Sequence, residues 1–321
     1  MSTEANVYIT STDNRTPDNK RVLPGDGKEP YCNSLEAQKK LNEFYLREFS
    51  TPAAYDVIPK PSEYSDILNL ESEWNLYEES RLDLSGLPTN AKELEEWYYE
   101  LRRTNREAVA PFFRFLAEEA TLEQLSFYIC LEAQVDGRFD DTIVLSQIGM
   151  LGDMKLAIDE NYWDEMGLGD LNGMHTLLFG KAEPYFRQFI QRFDASLLSS
   201  SLALKNGNLL SMFALRRWYV VRLLGTLTLL EDTVPYRFSK MVKGMQRHNV
   251  PDEISQYHTL HTKIDVIHGN QLVQRVLLPL ARENPAAIRD ICIGCLIRFN
   301  VEKDYYEGAG AVMESMRNSI Q

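Results

Sequence analysis

Cysteine is scarce in this sequence, and its placement argues against a disulfide-bonded framework. The 321 residues contain four cysteines, two of which form Cys292-x-x-Cys295. That pair lies in an apolar run with no second CxxC and no neighbouring histidine, so we predict small buried hydrophobic side chains rather than a metal site. A secreted fold held together by disulfides is therefore not expected.

Basic residues are also fewer than acidic ones. Thirty-four Lys and Arg stand against 47 Asp and Glu, which gives a formal net charge of −13. An acidic protein of this kind is a poor match for nucleic acid or an anionic membrane as its main partner. The balance favours a soluble protein that acts on small molecules.

Signals for export or for membrane insertion are lacking. Residues 1–11 show no basic segment followed by an apolar stretch, so no signal peptide is predicted. The most apolar window, residues 209–230, is interrupted by Arg216, Arg217 and Arg222. It is predicted as a buried central helix rather than a membrane span, although these arginines could also present a cation to a substrate carboxylate. We expect a cytoplasmic protein.

Alternating strand patterns and internal repeats are absent, and helical periodicity dominates from residue 89 onward. The patterns predict an all-α domain of eight to ten helices. The predicted helices are approximately 90–105, 108–119, 121–150, 153–164, 171–180, 182–196, 208–232, 235–248, 251–281 and 285–302.

The N-terminal part differs in composition. Residues 1–30 are polar and rich in turn-forming residues, which predicts a disordered or loosely packed arm. Residues 31–89 are predicted to form an extension packed on the main domain, which spans 90–321. Within the extension Asn33-x-x-Glu36 resembles a capping box that opens a helix ending near residue 50, and three side chains are predicted anchors: Trp74, Leu76 and Tyr77.

Histidine is scarce, and its few copies are clustered. Three of the five histidines fall within eleven residues, His258, His261 and His268, together with Asp265. At roughly 100° per residue the last three lie at about −60°, −80° and −20° relative to His258, so all four share one helical face. Imidazoles and a carboxylate converging in this way suit iron, manganese or zinc. The alternative is a solvated polar face with chance histidines.

A metal site needs ligands from elsewhere in the chain. Glu165 and His175 flank the glycines of Gly167-Leu168-Gly169, where the chain can turn between helices. Glu231 follows an apolar helical run. If its carboxylate were buried, its negative charge would need a positively charged partner such as a metal ion. Glu132 lies among apolar neighbours. Each glutamate taken singly could also be a surface or helix-end carboxylate, and Asp136 or Asp140 could replace Glu132.

These motifs together carry a resemblance to a known family. The segment Asn161-Tyr162-Trp163-Asp164-Glu165-Met166-Gly167 followed by His175, then Leu230-Glu231, then His261-x-x-x-Asp265-x-x-His268, resembles the heme-oxygenase-like diiron oxidases and oxygenases, the iron-containing redox enzyme family. The resemblance covers roughly residues 90–305 and implies a heme-oxygenase-like bundle of about seven core helices.

The resemblance also implies a cofactor and a ligand set. It predicts two irons per chain, cycling between Fe(II) and Fe(III). Glu132 would be the glutamate of the first core helix, with Asp136 and Asp140 still open as alternatives. Glu165 resembles an additional carboxylate of the N-oxygenating members. The remaining predicted ligands, which with Glu165 make up the catalytic set, are His175, Glu231, His261, Asp265 and His268.

The function implied is a non-heme diiron oxygenase or oxidase. It would use O2 and an electron donor to oxidise a small amine, amino acid or acyl substrate, by N-oxygenation or by C–H or C–C chemistry. A homodimer is possible, and neither nucleic acid nor membrane is expected. The alternatives are a heme-binding or cofactor-free oxidase of the same fold, and a metal-free helical interaction protein.

Overall fold

A computed structural model describes residues 29–51, 60–191, 193 and 198–318 of the chain. Apart from Glu29 and Pro30, the arm predicted over residues 1–30 lies outside these residues. Every regular element in the described ranges is helical, which confirms the all-α prediction. The α-helices in these ranges are α1 (Leu35–Phe49), α2 (Pro61–Ser80), α3 (Ala91–Glu118), α4 (Leu122–Glu132), α5 (Phe139–Ser146), α6 (Gly152–Glu165), α7 (His175–Arg187), α8 (Ser201–Leu215), α9 (Val220–Arg247), α10 (Asp252–Gln271), α11 (Leu278–Glu283) and α12 (Ala287–Asn318).

Helix starts follow from local capping chemistry. The hydroxyl of Ser34 accepts a hydrogen bond from the backbone N–H of Ala37 and starts α1. The predicted capping residue, Asn33, instead lies in the preceding turn, so that prediction was wrong by one residue. Thr121 and Gln124 form a reciprocal capping box at the start of α4. These bonds satisfy backbone donors that the first helical turn leaves unpaired.

The bundle is organised around α9, which packs along α3, α10 and α12. The α9–α12 contact is unusually close because glycines face it. A Cβ atom on Gly294 would lie 2.1 Å from the carbonyl oxygen of Arg222, and one on Gly225 would lie 2.3 Å from the carbonyl oxygen of Ile291. The two backbones therefore touch without intervening side chains, which sets the position of α9 in the core.

Several predicted helix boundaries were wrong. The single helix predicted over 121–150 is divided after Glu132, where α4 ends; a turn and a short 3-10 helix, Asp136–Arg138, then lead into α5. Conversely, the two helices predicted over 90–105 and 108–119 form one helix, α3.

Two further predicted breaks are absent. Helices were predicted over 208–232 and 235–248, but Pro235 lies inside α9, and the break falls earlier, at Arg217–Tyr219. Helices were also predicted over 171–180 and 182–196, but α7 continues through residues 180–182 and contains Pro184. Packing of the long helices against the core outweighs the local penalty of proline at both positions.

The N-terminal helices share the main core. α1 packs against α8, and Trp74 of α2 is fully buried. Leu76 is exposed, so it is not the anchor that was predicted. Two of the central arginines bind carboxylates of α2: Arg216 pairs with Glu71 at 2.7 Å, and Arg222 pairs with Glu79. These arginines therefore have a structural role. The domain division at residue 89 stays a prediction.

Cys292 and Cys295 are both buried and free, as expected of small apolar side chains. Within the described part of the chain, none of the helices combines the length and the apolar character that crossing a membrane requires.

The α9–α12 contact generates a stability prediction. Gly294→Ala should lower the free energy of unfolding by about 1–3 kcal/mol, because the added methyl group forces two backbones apart. Gly180→Ala is the matched control: Gly180 is an exposed helical glycine with no described atom within 4 Å of its Cβ position. It should be neutral or stabilising by up to ~1 kcal/mol. Urea unfolding of both variants measures the difference, and equal effects would contradict the close contact.

Candidate metal centre

Six of the predicted site residues meet in the interior of the bundle. They come from the end of α6, the start of α7, the middle of α9 and one face of α10. Each is less than 5% exposed. The six residues are Glu165, His175, Glu231, His261, Asp265 and His268.

Five of these side chains form two overlapping groups. Glu165, His175 and His261 each place one ligand atom within 4.8 Å of the others, and Glu165, Glu231 and His268 do the same. Glu165 belongs to both groups. The arrangement thus offers two neighbouring cation positions that share one carboxylate.

A glycine turn brings Glu165 and His175 together. Gly167 and Gly169 adopt φ values of +61° and +86°, in the left-handed region that glycine enters without strain. A Cβ atom on Gly167 would lie 2.3 Å from the backbone carbon of Gly173, so no larger residue fits there. The turn reverses the chain between α6 and α7. Nδ1 of His175 consequently lies 2.9 Å from Oε2 of Glu165.

On α10 the predicted face points into the site. Nδ1 of His261 lies 2.9 Å from both carboxylate oxygens of Asp265. Nδ1 of His268 is 3.5 Å from Oδ1 of Asp265 and 3.7 Å from Oε2 of Glu231. Asp265 therefore lies between the two histidines, next to both groups.

Two residues of α6 support this arrangement and were not predicted. Asp164 accepts a hydrogen bond from Nε2 of His268 at 2.9 Å, which leaves Nδ1 of that ring facing Glu231 and Asp265. Asn161 donates from Nδ2 to Oε1 of Glu231 at 3.0 Å. A signal existed in the sequence: Asn161 lies three and four residues before Asp164 and Glu165, so all three share a helical face.

Several buried atoms of the site make no hydrogen bond of regular geometry to any described residue, although Nδ1 of His175 and Nδ1 of His268 lie close to carboxylate oxygens. They belong to four of the ligand candidates and are Oε1 of Glu165, Nδ1 of His175, Nε2 of His261 and Nδ1 of His268. Buried polar atoms are rarely left unpaired in a folded protein. Carboxylate oxygens and imidazole nitrogens are the donors that a borderline transition metal binds. The residues therefore fit metal ions in both positions.

The pKa values of the clustered side chains also indicate that buried carboxylates there favour a neighbouring positive charge. Burial, followed by the Asp265 carboxylate, raises the pKa of Glu231. Burial opposes protonation of His261 and His268, but the adjoining carboxylates outweigh it and raise the pKa of His261 to about 9 and that of His268 to about 11. Burial would also raise the pKa of Asp265, but the two imidazoles hold it below its usual value. Divalent cations could replace the protons on these rings.

Glu132 lies outside both groups. Its Oε2 atom is 3.3 Å from Nε2 of His258, a fully buried ring whose pKa burial lowers to about 3. Burial raises the pKa of Glu132 to about 8. Asp136 lies one turn further on, and Asp140 is half-buried at the start of α5. That Glu132 is a metal ligand, with Asp136 or Asp140 as the alternative, stays a prediction.

Comparison with known proteins identifies the family and the fold. A family model described as iron-containing redox enzyme matches residues 126–303, more than half of the chain and all of the clustered residues. A solved structure, a domain of unknown function with a heme oxygenase-like fold from Shewanella denitrificans, is similar at a TM-score of 0.51 and 12% identity. The similarity covers 74% of this chain and 96% of that one, and it confirms the predicted fold. No curated protein matches the sequence.

The Asp164–His268 bond generates a prediction. Asp164→Asn should weaken metal binding about 10- to 100-fold, because the amide no longer holds the Nε2 proton and ring orientation of His268. Titration with cobalt(II), followed by its absorption, measures the affinity. Asp159→Asn, an exposed aspartate on the same helix, is the matched control and should bind as the parent does. Equal affinity in the two variants would remove Asp164 from the site.

Proposed function

Because this chain belongs to the iron-containing redox enzyme family, we propose that it is a non-heme diiron oxidase or oxygenase. The observation that carries the proposal is the pair of buried groups sharing Glu165. A single cation would leave one of these groups with uncompensated carboxylates. Two irons would give each group its own cation, and Glu165 would be a ligand available to both.

Each proposed iron position has its own ligands besides Glu165. His175 and His261 would hold one iron, and Glu231 and His268 the other. Asp265 lies beside both histidines of α10 and could complete either position. Iron bound there would supply redox chemistry, the reduction of O2 coupled to oxidation of a small amine, amino acid or acyl substrate, with electrons from a donor.

The surrounding residues orient the ligands and exclude water. Asp164 keeps the proton of His268 on Nε2, so Nδ1 is free to bind metal. Asn161 holds one oxygen of Glu231. The ring of Tyr257 packs 4.6 Å from that of His261, and Phe238 packs 5.8 Å from the same ring. This aromatic wall keeps bulk solvent away from the reacting centre and strengthens its electrostatic interactions.

Heme binding is less well supported. A heme needs one axial imidazole, and that leaves Glu165, Glu231 and Asp265 as a buried group of carboxylates without a partner of matching charge. Paired non-heme irons would draw on all three carboxylates and on the imidazoles of His175, His261 and His268.

Iron content tests the proposal. After anaerobic loading with iron(II) and removal of unbound metal, mass spectrometry should find close to two irons per chain. His175→Ala and His268→Ala should each keep about one, because each removes a ligand from a different group. Glu165→Ala should retain less iron than either, because it removes a ligand from both.

The fifth histidine provides the control. His248 lies at the end of α9 and binds the carbonyl oxygen of Ala120, so His248→Ala should keep the parental iron content. Iron-loaded protein should also react with O2 in stopped-flow absorbance. Zinc binding without O2 reactivity in iron-loaded samples, or one-to-one heme binding with a sharp Soret band, would contradict the proposal.

A further inference from the structure

Helices α9 and α10 touch backbone to backbone beside the candidate metal centre. A Cβ atom on Gly269 of α10 would lie 2.7 Å from the Cα atom of Asp232 on α9, so any side chain at Gly269 would push the two helices apart. Glu231 immediately precedes Asp232, and His268 immediately precedes Gly269. Each helix thus carries a ligand candidate next to the point of contact, and that contact sets how closely the two candidates approach.

The contact belongs to one of the two groups of ligand candidates. Nδ1 of His268 lies 3.7 Å from Oε2 of Glu231, and both residues belong to the group completed by Glu165. His261, which belongs to the other group, lies two helical turns before Gly269, roughly 12 Å along the axis of α10. A change of spacing at Gly269 should therefore move the ligands of the first of these groups and leave the other in place.

A third helix, α3, holds Asp232 from the outside. Nη1 of Arg102 donates to both carboxylate oxygens of Asp232, at 3.0 and 2.9 Å. The hydroxyl of Tyr98, one turn earlier on α3, lies 3.2 Å from Oδ2 of Asp232 and 3.1 Å from the carbonyl oxygen of Thr228. Because the Asp232 side chain is only 9% exposed, its bonds to Arg102 are less screened by solvent than those of a surface ion pair.

We propose that Arg102 and Asp232 are positioning residues for the metal bound by Glu231 and His268. The bonds from α3 keep Asp232 against α10, and this holds the ligand candidates on either side of the contact at their spacing of 3.7 Å. The assignment rests on the proposed metal centre and extends it to α3, which carries none of the six clustered residues. Residues that orient a ligand from outside the ligand set typically change metal affinity about 10- to 100-fold.

Cobalt(II) titration of the full-length chain, followed by absorption, tests the assignment one metal position at a time. In the His175→Ala background the group with Glu231 and His268 is the complete one, and Arg102→Gln should weaken cobalt binding there about tenfold. In the His268→Ala background the other group is complete, and Arg102→Gln should leave the affinity unchanged. Arg102→Lys keeps the charge and should recover part of the loss in the first background.

Arg103 provides the matched control for Arg102. It is the next residue of α3 and pairs with Glu100 and Glu107 at the exposed surface. In the otherwise unaltered chain, Arg102→Gln should weaken the binding of one of two cobalt ions, and Arg103→Gln should weaken neither. Equal cobalt affinities in the two variants, or an equal loss at both metal positions in Arg102→Gln, would overturn the proposal.

A pair of glycines separates positioning from stability. Gly269→Ala should weaken cobalt binding at the adjoining group at least tenfold, because the added methyl group meets the backbone of Asp232. A Cβ atom on Gly244 would lie 2.6 Å from the carbonyl oxygen of Leu116, at a contact roughly 20 Å from Glu231 along α9. Gly244→Ala should also lower stability in urea, but the folded protein should bind cobalt as the parent does. The same loss of affinity in both variants would indicate loosened packing in general and reject the Asp232 contact as its cause.

The results also separate this inference from the proposed function. Failure of the unaltered chain to bind two metal ions would reject the proposed centre. Two metal ions bound by the unaltered chain, with the same affinities in Arg102→Gln, would leave that centre intact and reject the positioning role of Arg102 and Asp232.

Discussion

The arrangement of the candidate site depends on the burial of three carboxylates that lie close together. Glu165, Glu231 and Asp265 are each at most 2% exposed. Moving an ionised carboxylate out of water costs several kcal/mol, and like charges at short range add to that cost. The three neighbouring imidazoles reduce it by taking up protons or by sharing metal ions. A bundle that tolerates this cluster therefore needs rigid helices to hold the compensating groups in place.

The helices meet that need by different means. α10 supplies three ligand candidates through its own periodicity, so their spacing is set within one element. The α6–α7 turn uses positive-φ glycines to bring Glu165 against His175. α9 carries Glu231, and its depth in the core is set by the backbone contact with α12 at Gly294. No single contact defines the centre; it forms where three independently fixed elements converge.

The parts of the site that could be predicted from sequence are those that short-range geometry determines. Three and four residues along a helix bring His261, Asp265 and His268 onto one face, and a glycine-containing break predicts that Glu165 and His175 can meet. Glu132 shows the limit of this reasoning. It is the last residue of α4, whereas the predicted helix continued to residue 150 and carried Asp136 and Asp140 as well. The three carboxylates therefore do not lie on one helix, as their comparison as ligands had assumed.

Long-range packing determines the remainder. Nothing in the local pattern around Arg237 or Arg298 indicates that both would lie at one cavity with Tyr128, because these residues come from three helices far apart in sequence. The break predicted between residues 232 and 235 failed for the same reason: Pro235 lies inside α9, and the contacts of α9 with three neighbours keep the helix continuous. Local rules therefore describe the clustered residues of α10 well and the packing of α9 against α4 and α12 poorly.

One helix joins the candidate metal centre to the core behind it. Glu231 of α9 belongs to the clustered residues, and Val234, Arg237 and Phe238, three to seven residues later, line a small internal cavity with residues of α4 and α12. A rotation of α9 would thus move the Glu231 carboxylate and the buried guanidinium of Arg237 together. Because glycines bring the backbone of α9 against that of α12, the position of Glu231 is set by backbone contact rather than by flexible side chains. Contact of this kind can hold a buried carboxylate in place against the repulsion of its charged neighbours.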